Sequence, residues 1–162
     1  MMMTAKAIIH AGQFHSVWLD QALKYLPTDV YNDIKNRVII VSNPERAGCR
    51  IPRSVCDKKE IVVISELLYP EYGKDENSLS ARYLIFVVLH EIAHAKLNHL
   101  SPVYDGLSKE DNDRQEMAAS KMAYSWFNEA ANKRGLKEIS QEEVAAGEKN
   151  ACLRAKRYYK TA

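Results

Sequence analysis

The sequence predicts an α+β fold: a small β-sheet in its first third, then a bundle of three long helices. Three observations carry this expectation. Val38-Ile39-Ile40-Val41 and Ile61-Val62-Val63-Ile64 are β-branched runs of strand length, and such side chains fit a pleated, half-buried surface. Three long segments follow, each opened by a helix start signal. One of them is apolar on every side from Tyr83 to Leu89, so it is expected to cross the core.

In chain order, the first element is an amphipathic helix. Val17, Leu19, Ala22, Leu23 and Leu26 recur at helical spacing until Pro27, whose ring and missing N–H stop a helix. Thr28 or Asp29 is expected to cap a second, short helix through Val30 to Lys35. Between the two β-branched runs, Gly48-Cys49-Arg50-Ile51-Pro52-Arg53 reads as a third, irregular strand. Pro52 cannot donate to a ladder, which confines that strand to a sheet edge. Asp57-Lys58-Lys59 is the expected turn into the second strong strand.

Pro70 to Asn77 reads as a loop, and Asn77 or Ser78 starts a helix expected to run through Leu100. Ser108 caps the next helix, with Glu110, Asp111 and Asp113 at the positive end of its dipole. Lys133-Arg134-Gly135 supplies its basic last turn and glycine stop. Ser140-Gln141-Glu142-Glu143 is a capping box for a final helix reaching about Tyr158.

With 162 residues, 46% hydrophobic and 27% charged, the chain is expected to form one domain over residues 1–162. A net charge of +2 gives no basis for a nucleic-acid or membrane partner. No stretch approaches the roughly 20 apolar residues of a membrane-spanning helix, and Met1 to Ala11 lacks the apolar centre of a secretory signal. A cytoplasmic location is therefore expected. Cys49, Cys56 and Cys152 show no paired spacing, as in a reducing compartment. The basic, aromatic run Arg154 to Lys160 reads as the solvated end of the last helix.

The chemistry centres on His90-Glu91-Ile92-Ala93-His94. Two histidines four residues apart project from one helix face, so both imidazoles reach one Zn2+ ion. Glu91, on the adjoining face, is placed to hold and deprotonate a water on that ion rather than ligate it. A catalytic zinc needs a third protein ligand and an open position. Glu116 is the expected third ligand, because Ala119, Ser120, Ala123, Phe127 and Ala130 follow it at helical spacing. That small-residue face permits close approach to the histidine helix, where Ala93 is also small. Asp113 and Glu110 are read as first-turn charges instead.

These two segments, His90 to His94 and Glu116-Met117-Ala118-Ala119-Ser120-Lys121-Met122-Ala123, resemble the ImmA/IrrE family of metallopeptidases. That family pairs H-E-x-x-H with a downstream E-x-x-A-[ND]-x-F-A helix; Ser120 and Met122 replace two of its usual residues. Gly48 to Ser65 is similar to the family's glycine-bearing hairpin. The resemblance covers roughly residues 45 to 127 and implies a zincin-like fold, with a small twisted sheet and edge hairpin on a helical bundle. It implies a selective intracellular zinc endopeptidase with His90, His94 and Glu116 on the metal and Glu91 catalytic. It further implies a regulatory protein as substrate, such as a DNA-binding repressor supplied by another chain.

Two other readings stay open. Gly48-Cys49 before an H-E-x-x-H pair is similar to the metal segment of peptide deformylases, with Cys49 as ligand. A zincin fold that binds or regulates without hydrolysis is the other. His99 is expected to be a helix-end residue, and Tyr104 and Tyr124 are expected to pack in the core rather than serve an oxyanion.

Overall fold

In the computed structural model, which describes residues 8–43, 48–51, 59–102 and 104–161, the two β-branched runs lie side by side. They are β2 (Val38–Asn43) and β4 (Glu60–Ser65), paired in parallel with Ile39 opposite Ile61 and Val41 opposite Val63. β1 (Ile8–His10) adds a parallel strand on the outer side of β2, and β3 (Gly48–Ile51) runs antiparallel on the outer side of β4. The sheet order is β1-β2-β4-β3, so the irregular strand does take an edge. Pro52, Asp57, Lys58 and Cys56 lie outside the described residues, as does the side chain of Cys49.

The alternation of a strand puts one face of this sheet inward. Val38, Ile40, Val62 and Ile64 are buried, whereas Ile39, Val41, Ile61 and Val63 are half-buried. α1 (Gln13–Leu23) and α2 (Thr28–Ile34) join β1 to β2, as a parallel pair requires of its connection. β1 is the element missing from the sequence expectation: three residues are too few for a periodicity to register. Val17 is 64% exposed, so it falls off the helix face to which spacing assigned it; Leu19, Ala22 and Leu23 carry that face. Pro27, rather than Thr28 or Asp29, stands at the N-cap of α2.

α3 (Leu79–Lys96) crosses the core as its composition demands, with Leu84, Ile85, Phe86, Val88, Leu89 and Ile92 buried. The Ser78 hydroxyl accepts the Ala81 N–H at 3.3 Å and caps its start. The helix ends four residues before Leu100, because Asn98 adopts a φ of 52°, a left-handed conformation that interrupts the helical ladder. Arg37 meets that end: its Nη1 donates to the Ala95 carbonyl at 3.2 Å and lies 3.5 Å from the buried Glu60. β4, the segment after α2 and the last turn of α3 are thereby tied together.

α4 (Lys109–Lys133) and α5 (Gln141–Thr161) both pack on α3. Ser108 caps α4 through the Asp111 N–H at 3.1 Å, and Gly135 stops the chain after it at a φ of 64°. The capping box of α5 forms in both directions, Glu143 N–H to Ser140 Oγ and Ser140 N–H to Glu143, each at 3.2 Å. Gly147 sits against Tyr83 of α3, where an added methyl would lie 2.6 Å from Cδ2 of the ring. Gly147→Ala is expected to cost about 1–3 kcal/mol, read as a lower denaturation midpoint, even though alanine is the better helix former.

Glu143 also joins α5 to the core. Arg82, only 3% exposed, donates from Nη2 to Glu143 Oε1 at 2.7 Å and from Nη1 to Oε2 at 3.0 Å. Its Nη1 and Nε also satisfy the carbonyls of Glu138 and Asn77. The Arg82 hydrogen bonds are the main reason that the Glu143 carboxyl drops from 4.5 to about 2. A folded value below the unfolded one means that this stabilisation is full above about pH 4.5 and lost as pH falls towards 2. Denaturant titrations across that window should show the loss, and Glu143→Gln should remove that part of the pH dependence.

The Arg154 guanidinium likewise turns inward, donating to the carbonyls of Leu67 and Tyr69 at 2.9 and 2.7 Å. It leaves the solvated run, while Lys156 to Lys160 stay exposed. No helix among the described residues is long and apolar enough to cross a membrane.

Candidate metal centre

Helical geometry and one close helix–helix packing build this site. His90 and His94 lie one turn apart on α3, with ring centroids 4.7 Å apart and their Nε2 atoms 3.1 Å apart. Ala93 of α3 and Ala119 and Ala123 of α4 are fully buried, so the small side chains of the facing helix lie inside as expected. Glu116 is thereby brought to the histidines from 26 residues beyond His90, with Oε2 3.1 Å from His90 Nε2. Its Oε1 lies 3.4 Å from His94 Nε2.

These separations form a test for a metal ion. Tetrahedral zinc with bonds of about 2.0–2.1 Å places its ligand atoms about 3.3 Å apart. The Nε2–Nε2 separation of 3.1 Å and the Glu116 contacts of 3.1 and 3.4 Å, made by its two different oxygens, lie near that value, and the donor set of two imidazoles and a carboxylate suits zinc. One ligand atom from each residue lies within 4.8 Å of the others. His90, His94 and Glu116 can therefore hold a metal ion, and the sequence named these three.

Charge and access agree with that use. Hydrogen bonds from His90, then from His94, hold the Glu116 carboxyl far below its ordinary range, and an ion bound by the same nitrogens would take the place of those protons. The His94 side chain is 10% exposed and that of Glu116 49%. One flank of the trio is thus enclosed and the other faces solvent, where a water molecule and a substrate can enter.

The supporting contacts were less legible. Ser120, one turn after Glu116, places Oγ 3.3 Å from His90 Nδ1, and His99 places Nδ1 2.9 Å from His94 Nδ1. Both ligand rings are therefore held from behind, on the nitrogen turned away from the trio. His99 lies at the helix end, as expected, and its ring also meets a ligand ring. Gln115 adds a third support: its side-chain amide pairs with both the N–H and the C=O of Leu100 at 2.9 Å. That clip fastens the loop after α3 to the turn bearing Glu116. The half-buried Gln115 carries no periodic signal, so spacing could not reveal it.

Glu91 follows His90 and is half-buried; it is not one of the three converging groups. Asp113 is exposed and Glu110 lies in the first turn of α4, as expected. Tyr124 packs its ring 4.6 Å from Phe86, which in turn lies 6.2 Å from the His90 ring. Tyr104 is 56% exposed, so the expectation of core packing fails there.

The model of one protein family, Peptidase U49, matches residues 52–153, more than half of the chain and all of the candidate site. No curated protein and no solved structure matches the chain.

Proposed function

The chain belongs to the Peptidase U49 family, and on that premise we propose that it is a zinc metallopeptidase with His90, His94 and Glu116 as ligands. The observation that carries this reading is the convergence of two imidazoles and a carboxylate, with one ligand atom of each within 4.8 Å of the others. They come from two helices and lie beside a glutamate, Glu91, that is not among them. A zinc ion held there would lower the pKa of a bound water to about 7 and polarise a carbonyl oxygen.

The protein's own groups do the rest. His90 and His94 present neutral lone pairs and Glu116 one negative charge, leaving net positive charge opposite a developing oxyanion. Glu91 accepts a proton from the attacking water and returns it to the leaving amine nitrogen. β3, at the sheet edge and alongside α3, offers backbone groups to an extended peptide by strand addition. The kinship to zincins of the ImmA/IrrE type belongs to this proposal and rests on the two motifs. So does a single domain over residues 1–162 acting on a regulatory protein inside the cell. A DNA-binding repressor is the substrate which that resemblance implies.

The test is metal content together with cleavage of a mixed peptide library. Protein prepared without added metal should carry close to one zinc per chain, lose cleavage on chelation and regain it with zinc. Equal cleavage by metal-free and zinc-loaded protein would overturn the proposal. Zinc bound without any cleavage would favour the binding module, and zinc lost in Cys49→Ser but retained in Glu116→Ala would favour the deformylase-like amidase.

A further inference from the structure

The C-terminus of α3 is closed by a turn whose hydrogen bonds reach back to the site. Asn98 N–H donates to the Ala95 carbonyl at 3.2 Å and His99 N–H to the His94 carbonyl at 3.1 Å. With Asn98 at a φ of 52°, this is the Schellman arrangement: a left-handed residue, then a bond from the next residue back to the last helical turn. In that arrangement the side chain after the left-handed residue meets one on the last turn, and the contact is usually apolar. Here the two side chains are imidazoles. The rings of His99 and His94 lie 5.0 Å apart at 73°, and their Nδ1 atoms lie 2.9 Å apart.

Two ring nitrogens at that distance share one proton, so one donates and the other accepts. His94 can offer an Nε2 lone pair to a metal only if its own proton sits on Nδ1. His94 is then the donor and His99 Nδ1 the acceptor, which leaves the His99 proton on Nε2. We infer that His99 is a positioning residue for the metal site, fixing the ring rotation and tautomer of His94. The left-handed turn at Asn98 delivers it. Ser120 serves the other ring, at His90 Nδ1, so the two ligands are oriented by different elements. This inference rests on the metal reading proposed above.

The test uses the full chain and zinc alone, with affinity measured against a competing chromophoric chelator. His99→Phe keeps a flat ring in the turn but removes the acceptor, while His99→Asn puts an amide oxygen near the position of Nδ1. Loss of such a supporting partner costs about 10- to 100-fold in metal affinity. His99→Phe should show that loss, and His99→Asn should recover most of it. In zinc-loaded protein, the downfield His94 Nδ1–H proton resonance should persist in wild type and His99→Asn and vanish from His99→Phe. The thermal midpoint of the metal-free protein should be the same in all three.

Wild-type affinity in His99→Phe, or equal losses in both variants together with a lower midpoint, would overturn the inference. If His99→Phe does not fold, His99→Ala with the same measurements decides it. Wild-type protein that binds no zinc removes the metal reading and this inference together. Zinc binding that is lost in His90→Ala and Glu116→Ala but untouched by His99→Phe removes this inference alone.

Discussion

Glu91→Gln is expected to slow peptide cleavage by at least about 10²- to 10⁴-fold, the usual worth of a positioned general base, while zinc content stays unchanged. Glutamine has nearly the shape of glutamate, so α3 and its packing are preserved. Its amide cannot take a proton near neutral pH, so the step assigned to Glu91 fails. The metal should remain, because the converging donors are His90, His94 and Glu116. Glu91 stands one residue after His90, about 100° around the helix. Parallel assays of cleavage rate and bound zinc separate the two effects. Cleavage near the wild-type rate would remove Glu91 from the mechanism, and zinc loss would make it a ligand.

Glu116→Ala should have the second large effect, on the metal itself. Glu116 is the only carboxylate of the trio, and its loss removes both a ligand and the site's negative charge. Zinc affinity should fall by more than the about 10- to 100-fold that a supporting residue costs. Cleavage should fall with it. The fold should tolerate the change, since the side chain is 49% exposed and alanine is the best helix former. Asp113→Ala is the control: it is exposed on the same helix and should leave zinc affinity unchanged. Undiminished binding in Glu116→Ala would place the third ligand elsewhere, with Cys49 the first to examine.

Legibility varied with the range of the interaction that decides each feature. Ser78, Ser108 and Ser140 could be read as helix starts because a cap acts on a backbone N–H only a few residues away. The α3 end is not legible, because no glycine stands between His94 and Leu100; asparagine takes the left-handed position. Glu116 was legible through the small residues that follow it, which report a close helix contact indirectly. In the sequence Ser120 is only a departure from a family pattern; its role lies in a contact between two helices, its hydroxyl beside His90 Nδ1.

In His90-Glu91-Ile92-Ala93-His94 the spacing alone fixes two imidazoles on one helix face with a glutamate on the next. That follows from 3.6 residues per turn and needs no other part of the chain. Packing alone brings the α4 carboxylate to within 3.4 Å of both Nε2 atoms. It also decides that β2 and β4 pair in parallel and that His99 folds back onto His94. Local geometry sets the directions in which side chains leave a helix or strand. Which of those directions meet depends on packing, where burial of Ala93, Ala119 and Ala123 draws two helices together.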